Sequence, residues 1–351
     1  LNITLFLLSM IKVYFYIAFA ACAFIACDTA TSSTAQSEHP TEQLDSTLMR
    51  INAKIEAEPN NYAHYLERAT YYGTLQNYVD AMKDIERAII ADSAHSEIYL
   101  LKGDMHFKML NEKEAYKEYE HCLAFDANNT DCLLKKAAID ILLKNYSLAI
   151  NHINAALKIN ETLPYAYYLK GRMYKETGDT TLACSSYQTA IEVDPTYYDA
   201  YIEAGLLFHR QKHNLAKEYY NSAIELRPRT VEPWYNLAMF YQETGFKYNQ
   251  NYQLAFAAYD TIASIDPSFA TAYFNKGFIH LEFLQQYDSA VVEFSKAIEK
   301  LPNYYQAYYN RGLCYESMNK IKDAENDYRQ ALRIQPTYTE AAKSLSRVLG
   351  E

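Results

Sequence analysis

The chain has 351 residues, of which 33 are Lys or Arg and 43 are Asp or Glu, so its formal net charge at pH 7 is −10. Because this acidic excess comes with no basic run, the composition argues against nucleic acid and anionic lipid as partners. The 9 glycines form no phosphate-binding loop, and the sequence contains neither a CxxC nor an HExxH motif. We therefore expect no catalytic residues, no metal site and no cofactor, and hence no enzyme.

The N-terminal segment is apolar over residues 13–26. This stretch is too short to span a bilayer but has the length of a signal-peptide core. It ends in Phe24-Ile25-Ala26-Cys27, which resembles a bacterial lipobox, whose cysteine is diacylated and becomes the new N-terminus. The resemblance implies that residues 1–27 are a lipoprotein signal peptide with lipid attachment at Cys27. Cys22 is the alternative attachment site, and an uncleaved membrane anchor is the alternative for the whole segment.

The region after Cys27 is polar. Residues 28–41 read DTATSSTAQSEHPT, which predicts a flexible tether with an average span of roughly 20 Å. Two acyl chains make an anchor effectively stable, so we expect the protein at the bacterial cell envelope, on the periplasmic or surface face of the outer membrane. Residues 42–61 are predicted to form a leading capping segment, with a helix from about Gln43 to Ala57. Met10-Ile11-Lys12 would form the short, positively charged first region of a conventional signal peptide, so we expect translation to begin at Met10.

Alanines recur through the rest of the chain at intervals of 34, 34, 34, 33, 39, 35 and 34 residues. They are Ala81, Ala115, Ala149, Ala183, Ala216, Ala255, Ala290 and Ala324. A second ladder of small residues runs through Ala69, Gly103, Ala137, Gly171, Gly205, Ala238, Gly277 and Gly312. A period near 34 is typical of stacked helix–turn–helix units. The spacing predicts an all-α solenoid, which favours binding over catalysis.

The fourth unit, residues 164–197, shows the pattern most clearly: PYAYYLKGRMYKETGDTTLACSSYQTAIEVDPTY. Gly171 lies between aromatics at helical spacing, Gly178 breaks the first helix, Ala183 lies on the second, and Pro195 ends it. This order of aromatic, small, aromatic, then alanine, aromatic, alanine and proline resembles the tetratricopeptide repeat, whose fold is a right-handed all-α solenoid.

The resemblance extends over residues 62–338 as eight units, followed by a C-terminal capping helix in residues 339–351. The units begin near Tyr62, Ser96, Thr130, Pro164, Tyr198, Val231, Ala270 and Tyr305. The last five units have proline at the stop position, whereas the first three have Ser93, Ala127 and Glu161. The sixth unit also carries about five extra residues, 246–250, which mark either a contact site or slippage without function.

The remaining cysteines and histidines form no ligand set. Cys122, Cys132, Cys184 and Cys314 fall within the repeat helices, where we expect buried free thiols. A disulfide between Cys122 and Cys132 is the alternative, favoured by an oxidising compartment. The nine histidines do not cluster at metal-ligand spacing.

In the repeat family, the first helices line a concave groove through positions 2, 5, 6, 9, 12 and 13 of each unit. Position 6 of the last three units is Asn236, Asn275 and Asn310. An amide side chain both donates and accepts, so a row of amides can hold the backbone of an extended peptide. The row is similar to the asparagine ladder of O-linked N-acetylglucosamine transferase and related peptide-binding arrays. The alternative is that asparagine is simply common at this position.

Neighbouring positions extend the predicted peptide site. Position 5 supplies Tyr235, Phe274 and Tyr309, and position 9 supplies Met239, Phe278 and Leu313. We predict that they form an aromatic and apolar floor for bulky side chains, with inter-helix packing as the alternative. Glu243, Glu282 and Glu316 are predicted to form an acidic rim that favours a basic or neutral ligand.

The sequence therefore indicates a lipid-anchored scaffold that binds a protein or an extended peptide in its groove. The alternative is a structural protein that forms homodimers and has no peptide ligand. Groove positions of the N-terminal half, such as Leu66, Leu100, Leu134 and Leu142, are aliphatic and would suit a partner helix or a second copy.

Overall fold

The structure is a computed structural model that describes residues 40–245 and 250–351. Within these ranges all regular secondary structure is helical, and no strand is present. The predicted all-α solenoid class is confirmed. The predicted signal peptide with Cys27, the tether up to residue 39 and residues 246–249 of the insertion lie outside the described residues.

The leading helix, α1, runs over Pro40–Ala57, so it includes the last two residues of the predicted tether. Proline is favoured at the first position of a helix, because its fixed φ suits the helix and its missing N–H would be unpaired there in any case. In the part of the chain that the structure describes, no helix combines the length and hydropathy needed to cross a membrane.

Eight helix pairs follow within the compact unit Ile55–Glu351, and neighbouring helices pack against one another along the chain. The first four pairs are α2 Tyr62–Thr74 with α3 Tyr78–Ala91, α4 Ser96–Lys108 with α5 Glu112–Phe125, α6 Thr130–Leu142 with α7 Tyr146–Ile159, and α8 Pro164–Thr177 with α9 Thr180–Val193. The next four are α10 Tyr198–Arg210 with α11 Leu215–Leu226, α12 Val231–Thr244 with α13 Gln250–Ile265, α14 Ala270–Phe278 with α15 Tyr287–Lys300, and α16 Tyr305–Ser317 with α17 Ile321–Ile334. Helix α18, Thr339–Leu349, closes the array.

The two helices of a unit meet through side chains of complementary size. In five units a glycine of the first helix lies directly against an aromatic ring of the second; the pairs are Gly103–Tyr119, Gly171–Tyr187, Gly205–Tyr220, Gly277–Phe294 and Gly312–Tyr328. Where the first helix has Ala69 or Ala137 instead, the second helix has the smaller Ile85 or Ile153 in the same apolar cluster. In these seven units the volume of the contact is therefore kept nearly constant, as close-packed interiors require. The sixth unit is the exception, since Ala238 of its first helix shares an apolar cluster with Tyr259.

The loops between units are closed by a hydrogen bond that does not depend on proline. The Tyr201 hydroxyl and the Trp234 indole N–H donate to the carbonyls of Pro195 and Pro228, six residues earlier, at 3.1 Å each. Tyr99 and Tyr167 donate in the same way to the carbonyls of Ser93 and Glu161. The early units therefore fold without the proline, because the acceptor is a main-chain carbonyl that any residue supplies.

The turns inside the units require a left-handed backbone conformation. Glycine provides it in the fourth unit, where Gly178 has a φ of 85°, but six turns use another residue: Gln76, Leu110, Lys144, Lys212, Gln285 and Asn319. A side chain other than glycine destabilises this conformation, because its Cβ crowds the neighbouring carbonyl.

Replacing Leu110 by glycine is expected to stabilise the protein. The side chain is 79% exposed, so its loss removes little packing, whereas φ is 59°. The relief of left-handed strain exceeds the entropy that glycine adds to the unfolded chain, leaving a gain of roughly 0.5–1 kcal/mol. Urea denaturation followed by circular dichroism measures the change. Gly178→Ala is the matched control and should lose stability; an unchanged or lower midpoint for Leu110→Gly would contradict this account.

The seventh unit absorbs one extra residue within its first helix. The alanine interval there is 35 residues, and a π-helical turn, Ile279–Phe283, continues α14. The Leu284 N–H donates to the Ile279 carbonyl at 3.2 Å, a five-residue step. Because a π turn adds a residue without breaking the helix, the following helix keeps its place in the stack.

Basic side chains at position 7 link helices within and between units. Lys102 lies 3.3 Å from Glu118 of its own unit and from Glu86 of the preceding one. Lys276 bridges Asp260 and Glu293 in the same manner. The fifth and sixth units have Ala204 and Leu237 at this position. Ion pairs at this position therefore join the first three units to one another and the sixth unit to the seventh, whereas Ala204 and Leu237 cannot form them.

Candidate peptide-binding groove

The three predicted groove asparagines do not form a uniform row. Asn275 is 8% exposed, and its Nδ2 donates to the Tyr259 hydroxyl at 3.1 Å and lies 3.6 Å from the Met239 sulfur. Asn236 and Asn310 are half-buried and have no side-chain hydrogen bond to any described residue. Two open amides therefore flank one whose donor group is already engaged inside the protein.

Asn275 is fixed by aromatic side chains that periodicity does not reveal. The Tyr259 hydroxyl accepts from Asn275 and donates to Gln242 Oε1 at 2.7 Å. Burial raises the pKa of Tyr235, and a hydrogen bond from Asn275 opposes that rise. The prediction that this amide is open to a peptide is contradicted by these contacts, because a buried amide favours satisfied internal partners.

The predicted aromatic floor is engaged mainly in packing between units. Each position 5 ring contacts the residue that precedes the next unit, with centroid distances of 5.8 Å for Tyr235–Phe269, 4.9 Å for Phe274–Tyr304 and 5.1 Å for Tyr309–Tyr338. Tyr168 makes the same contact with Tyr197 at 5.5 Å. Of the position 9 residues, Met239 has its sulfur 3.2 Å from the Tyr259 hydroxyl oxygen, Phe278 lies edge-on to Phe283, and Leu313 packs on the core cluster beside Cys314. These residues are half-buried and therefore serve packing between helices.

The predicted acidic rim also differs among its members. Glu243 and Glu282 are exposed. Glu316 instead accepts two hydrogen bonds from Arg347 of α18, at 2.7 and 2.9 Å, and one from the Tyr328 hydroxyl at 2.6 Å. These hydrogen bonds, with that of Arg347 the largest cause, hold the pKa of Glu316 below its usual value. Glu316 therefore docks the capping helix, and its charge is not free for a basic ligand.

A disulfide joins the second and third units. Cys122 of α5 and Cys132 of α6 are bonded, with a Cα–Cα distance of 6.5 Å, and both are fully buried. The expected free thiols are thus wrong for this pair, and the alternative is correct. The inter-unit loop brings the end of one helix to the start of the next, within disulfide range. Cys314 is a buried free thiol, as expected, whereas Cys184 is a free thiol that is only half-buried.

The centre of the groove face contains a polar cluster that the sequence analysis did not identify. Lys175 of α8 pairs with Glu203 of α10 at 2.6 Å. Arg172, one turn earlier on α8, is half-buried and makes no ion pair within residues 40–245 and 250–351. Burial raises the pKa of Tyr168 to about 12 and also raises the pKa of Tyr187. The positive charge of Arg172 opposes both rises.

Tyr187 differs from its counterparts in other units. Its hydroxyl is fully buried and has no hydrogen-bond partner among the described residues. In four other units, the equivalent hydroxyl reaches an acceptor at position 9 or 12; the pairs are Tyr119–Asp104, Tyr220–His209, Tyr259–Gln242 and Tyr328–Glu316. In the fourth unit, positions 9 and 12 are Arg172 and Lys175, which only donate. In the sequence, the unusual state of Tyr187 is indicated by donor side chains at both position 9 and position 12 of its unit.

Other side-chain clusters offer no metal chemistry. Among the residues that the structure describes, no group of three or more His, Cys, Asp or Glu side chains is arranged to hold a metal ion. His209, one of two histidines spaced four apart, hydrogen-bonds with Tyr220 at 3.2 Å and lies 3.4 Å from Glu243.

Family models match part of the repeat array. Two models described as tetratricopeptide repeat match residues 198–230 and 305–338, and one described as TPR repeat matches residues 171–212. Residues 198–230 and 305–338 each contain one helix pair, whereas residues 171–212 run from within α8 to the end of α10. The chain contains tetratricopeptide repeats. The family-model matches and the helical array support the same description of the repeat units, hereafter called TPRs.

Curated relatives match most of the chain. The DnaJ homolog subfamily C member 7 homolog of Dictyostelium discoideum is 23% identical over 308 residues, which are 83% of this chain and 52% of that protein. Human Tetratricopeptide repeat protein 6 is 24% identical over 295 residues, covering 82% of this chain and 55% of its own length. The chain thus spans about half the length of these curated relatives.

A solved structure shares the fold. The structure of Pseudomonas aeruginosa pilF has a TM-score of 0.51 and 14% sequence identity, and the match covers 59% of this chain and 92% of that chain. At this identity the similarity concerns the TPR fold alone.

The unpartnered hydroxyl of Tyr187 leads to a stability prediction. Tyr187→Phe removes a buried polar group that lacks a partner and is expected to stabilise the protein by about 1 kcal/mol. Tyr119→Phe is the matched control; it removes a 2.8 Å hydrogen bond to Asp104 and should cost about 1.5 kcal/mol, because the acceptor is charged. Thermal and urea unfolding of both variants provides the measurement. Equal destabilisation of the two variants would show that the Tyr187 hydroxyl is satisfied in solution.

Proposed function

We propose that the chain is a lipid-anchored scaffold of the bacterial cell envelope that binds an extended peptide or partner protein on the groove face of its TPRs. TPR proteins generally mediate protein–protein interactions, and the helix pairs here present a continuous set of first helices. The observation that carries the proposal is the group of polar side chains left open on this face. They are Asn236, Asn310 and Arg172, each half-buried and without a side-chain hydrogen bond or ion pair to a described residue.

Half-buried polar groups suit a peptide ligand. Amides at Asn236 and Asn310 can donate to and accept from an extended main chain, and partial burial lowers the entropy lost when their side chains are fixed. Asn275 has a different role in this proposal, because its hydrogen bond to Tyr259 braces the floor between the two open amides. Binding would therefore depend on Asn236 and Asn310 directly and on Asn275 through the shape of the groove.

Crosslinking and affinity capture in the native cell test the binding function. The Asn236→Ala/Asn310→Ala variant is expected to lose a partner that the unchanged chain retains. Asn154→Ala/Asn326→Ala is the matched control, since both residues are exposed on second helices. A partner list that is the same for all three chains would count against the groove as the binding site.

The lipid anchor rests on the Phe24-Ile25-Ala26-Cys27 sequence and is supported by the buried disulfide, which is typical of proteins outside the reducing cytosol. Labelled palmitate should be incorporated into the full chain, and Cys27→Ser should abolish incorporation while Cys22→Ser leaves it intact. Incorporation that depends on Cys22 would move the attachment site. The absence of any label would overturn the anchor.

Homodimerisation is the second candidate, and exposed apolar side chains favour it. Near the ends of α4 and α6, the exposed fractions are 42% for Phe107, 79% for Leu110, 54% for Leu142 and 57% for Leu143. Exposed apolar side chains that lie close together often mark an interaction surface. Light scattering of the purified chain would give twice the monomer mass if this candidate is correct. A Leu110→Glu/Leu143→Glu variant should then return the mass to that of a monomer.

A further inference from the structure

We propose that the turns inside the first three units lie on the lipid bilayer to which Cys27 is anchored. The surface that makes this contact, here called the turn patch, consists of large apolar side chains in or next to those turns: Leu75, Val79, Phe107, Leu110, Leu142 and Leu143. The inference rests on the proposed lipid anchor, because the anchor supplies the bilayer. It assigns to a lipid surface four of the side chains that also favour the homodimer candidate.

The side chains of the turn patch are open to solvent in three consecutive units. The exposed fractions are 46% for Leu75 and 68% for Val79, and those of the other four lie between 42% and 79%. At the position of Leu75 and Leu143, the fourth and fifth units have Thr177 and Gln211. An apolar residue at this position is therefore not required by the repeat.

Contacts between the units place the three turns side by side. A Cβ built on Gly73 of α2 would lie 3.8 Å from Lys108 Nζ of α4, so the second unit reaches the turn that contains Leu75. Ala115 in the first turn of α5 and Ile139 in the last turn of α6 belong to one apolar cluster. The turn before α5 therefore lies next to the turn after α6, and the turn patch crosses all three units.

The backbone of Leu110 indicates that this exposed leucine does not serve the fold. Its φ is 59°, in the left-handed region that a β-carbon destabilises, and 79% of its side chain is exposed. The fourth and eighth units have Gly178 and Asn319 in the same conformation, and these residue types adopt it at lower cost. Strain that is kept without a packing reason is typical of functional positions.

Lysines around the turn patch favour a lipid surface over a second copy of the chain. Lys108, Lys113 and Lys144 are exposed and make no ion pair with any residue that the structure describes. The turn segments 74–83, 107–117 and 142–148 hold five lysines and three acidic residues, so they are positive although the whole chain is acidic. Lysine is depleted from protein–protein interfaces. At a bilayer its apolar stem lies beside acyl chains while its ammonium group reaches headgroup phosphates.

Chain connectivity brings the turn patch close to the anchor. Only residues 28–61 separate Cys27 from the first unit, and the tether among them has an average span of roughly 20 Å. A short flexible tether holds its two ends at an effective concentration of about millimolar. A weak contact through a few leucines is therefore sufficient to keep the turn patch on the bilayer.

Quenching of tryptophan by brominated lipid tests the contact. The chain has one tryptophan, so Leu143→Trp in a Trp234→Phe background provides a single reporter, and Leu110→Trp in the same background provides a second. The full chain is reconstituted into vesicles of phosphatidylethanolamine and phosphatidylglycerol with dibrominated acyl chains. Each reporter should lose at least half of its emission relative to vesicles of unbrominated lipid.

Phe125→Trp in the Trp234→Phe background is the matched control. Phe125 is 51% exposed and is the last residue of α5, so it lies about 20 Å along that helix from the turn that contains Leu110. Its emission should fall by less than a tenth in the brominated vesicles. Equal quenching of Phe125→Trp and Leu143→Trp would overturn a contact confined to the turn patch.

The outcomes separate the turn patch from the anchor, because incorporation of labelled palmitate decides the anchor and quenching decides the patch. Unquenched reporters would overturn the turn patch whether or not the chain incorporates palmitate. Quenched reporters in a chain that takes up no palmitate would support the patch and disprove the anchor. Unquenched reporters together with a doubled mass in light scattering would assign these side chains to a second copy.

Discussion

Arg311→Leu is expected to lower the free energy of unfolding by about 3–5 kcal/mol, because it leaves a buried carboxylate without its partner. Asp327 is 5% exposed, and Arg311 binds both of its oxygens at 2.8 Å. Arg311 also donates to Ser295 of the preceding unit at 2.9 Å, so the substitution also loosens the contact between the seventh and eighth units. Urea denaturation at pH 7, followed by circular dichroism, measures the loss.

The double variant Arg311→Leu/Asp327→Leu is the control for this interpretation. Replacing both partners by apolar side chains is often neutral, since no charge stays buried. The double variant should therefore recover most of the stability that the single variant loses. If both variants are equally unstable, packing of the arginine side chain, and not the orphaned charge, is the cause.

The stability loss of Arg311→Leu should depend on pH in a defined direction. Burial raises the pKa of Asp327, and Arg311 opposes that rise. Without Arg311 the folded-state pKa rises further above the unfolded value, so the folded state binds more protons and stability falls as pH rises between the two values. The defect of Arg311→Leu should therefore shrink as the pH is lowered from 7 towards 4. A constant difference from the unchanged chain would show that Asp327 does not titrate in this range.

Local spacing was sufficient to predict the fold class, but it could not predict the state of the groove. The ladder of small residues records where two helices touch, and Gly171 against Tyr187 shows that contact directly. Whether an amide faces solvent depends on side chains from other helices. Asn275 and Asn310 occupy the same position in their units, yet only Asn275 is bound to a tyrosine of the preceding unit.

The role of Glu316 could not be predicted from its own unit, for a related reason. Glu316 belongs to the eighth unit, but its partner Arg347 lies 31 residues later on the capping helix. Arg172, by contrast, makes no ion pair to a described residue, whereas Lys175, one turn later, pairs with Glu203. Whether a charged side chain at the surface is paired depends on residues of neighbouring helices. The periodicity of its own helix does not reveal those residues. The disulfide is similar, since its formation also depends on how two helix ends are oriented.

Gly171→Ala should cost about 2 kcal/mol, although alanine is the better helix former by about 1 kcal/mol. The added Cβ would lie 2.5 Å from the Tyr187 ring, and rigid ring atoms cannot yield as a flexible chain end can. Adding Tyr187→Ile recreates the Ala–Ile pairing of Ala137 with Ile153 and should restore much of the loss. Gly73→Ala is the matched control, because its Cβ meets the mobile end of Met105 at 3.0 Å, so its stability should change little or rise. Urea midpoints for the three variants decide the matter: a double variant no more stable than Gly171→Ala would show that size complementarity does not set this contact.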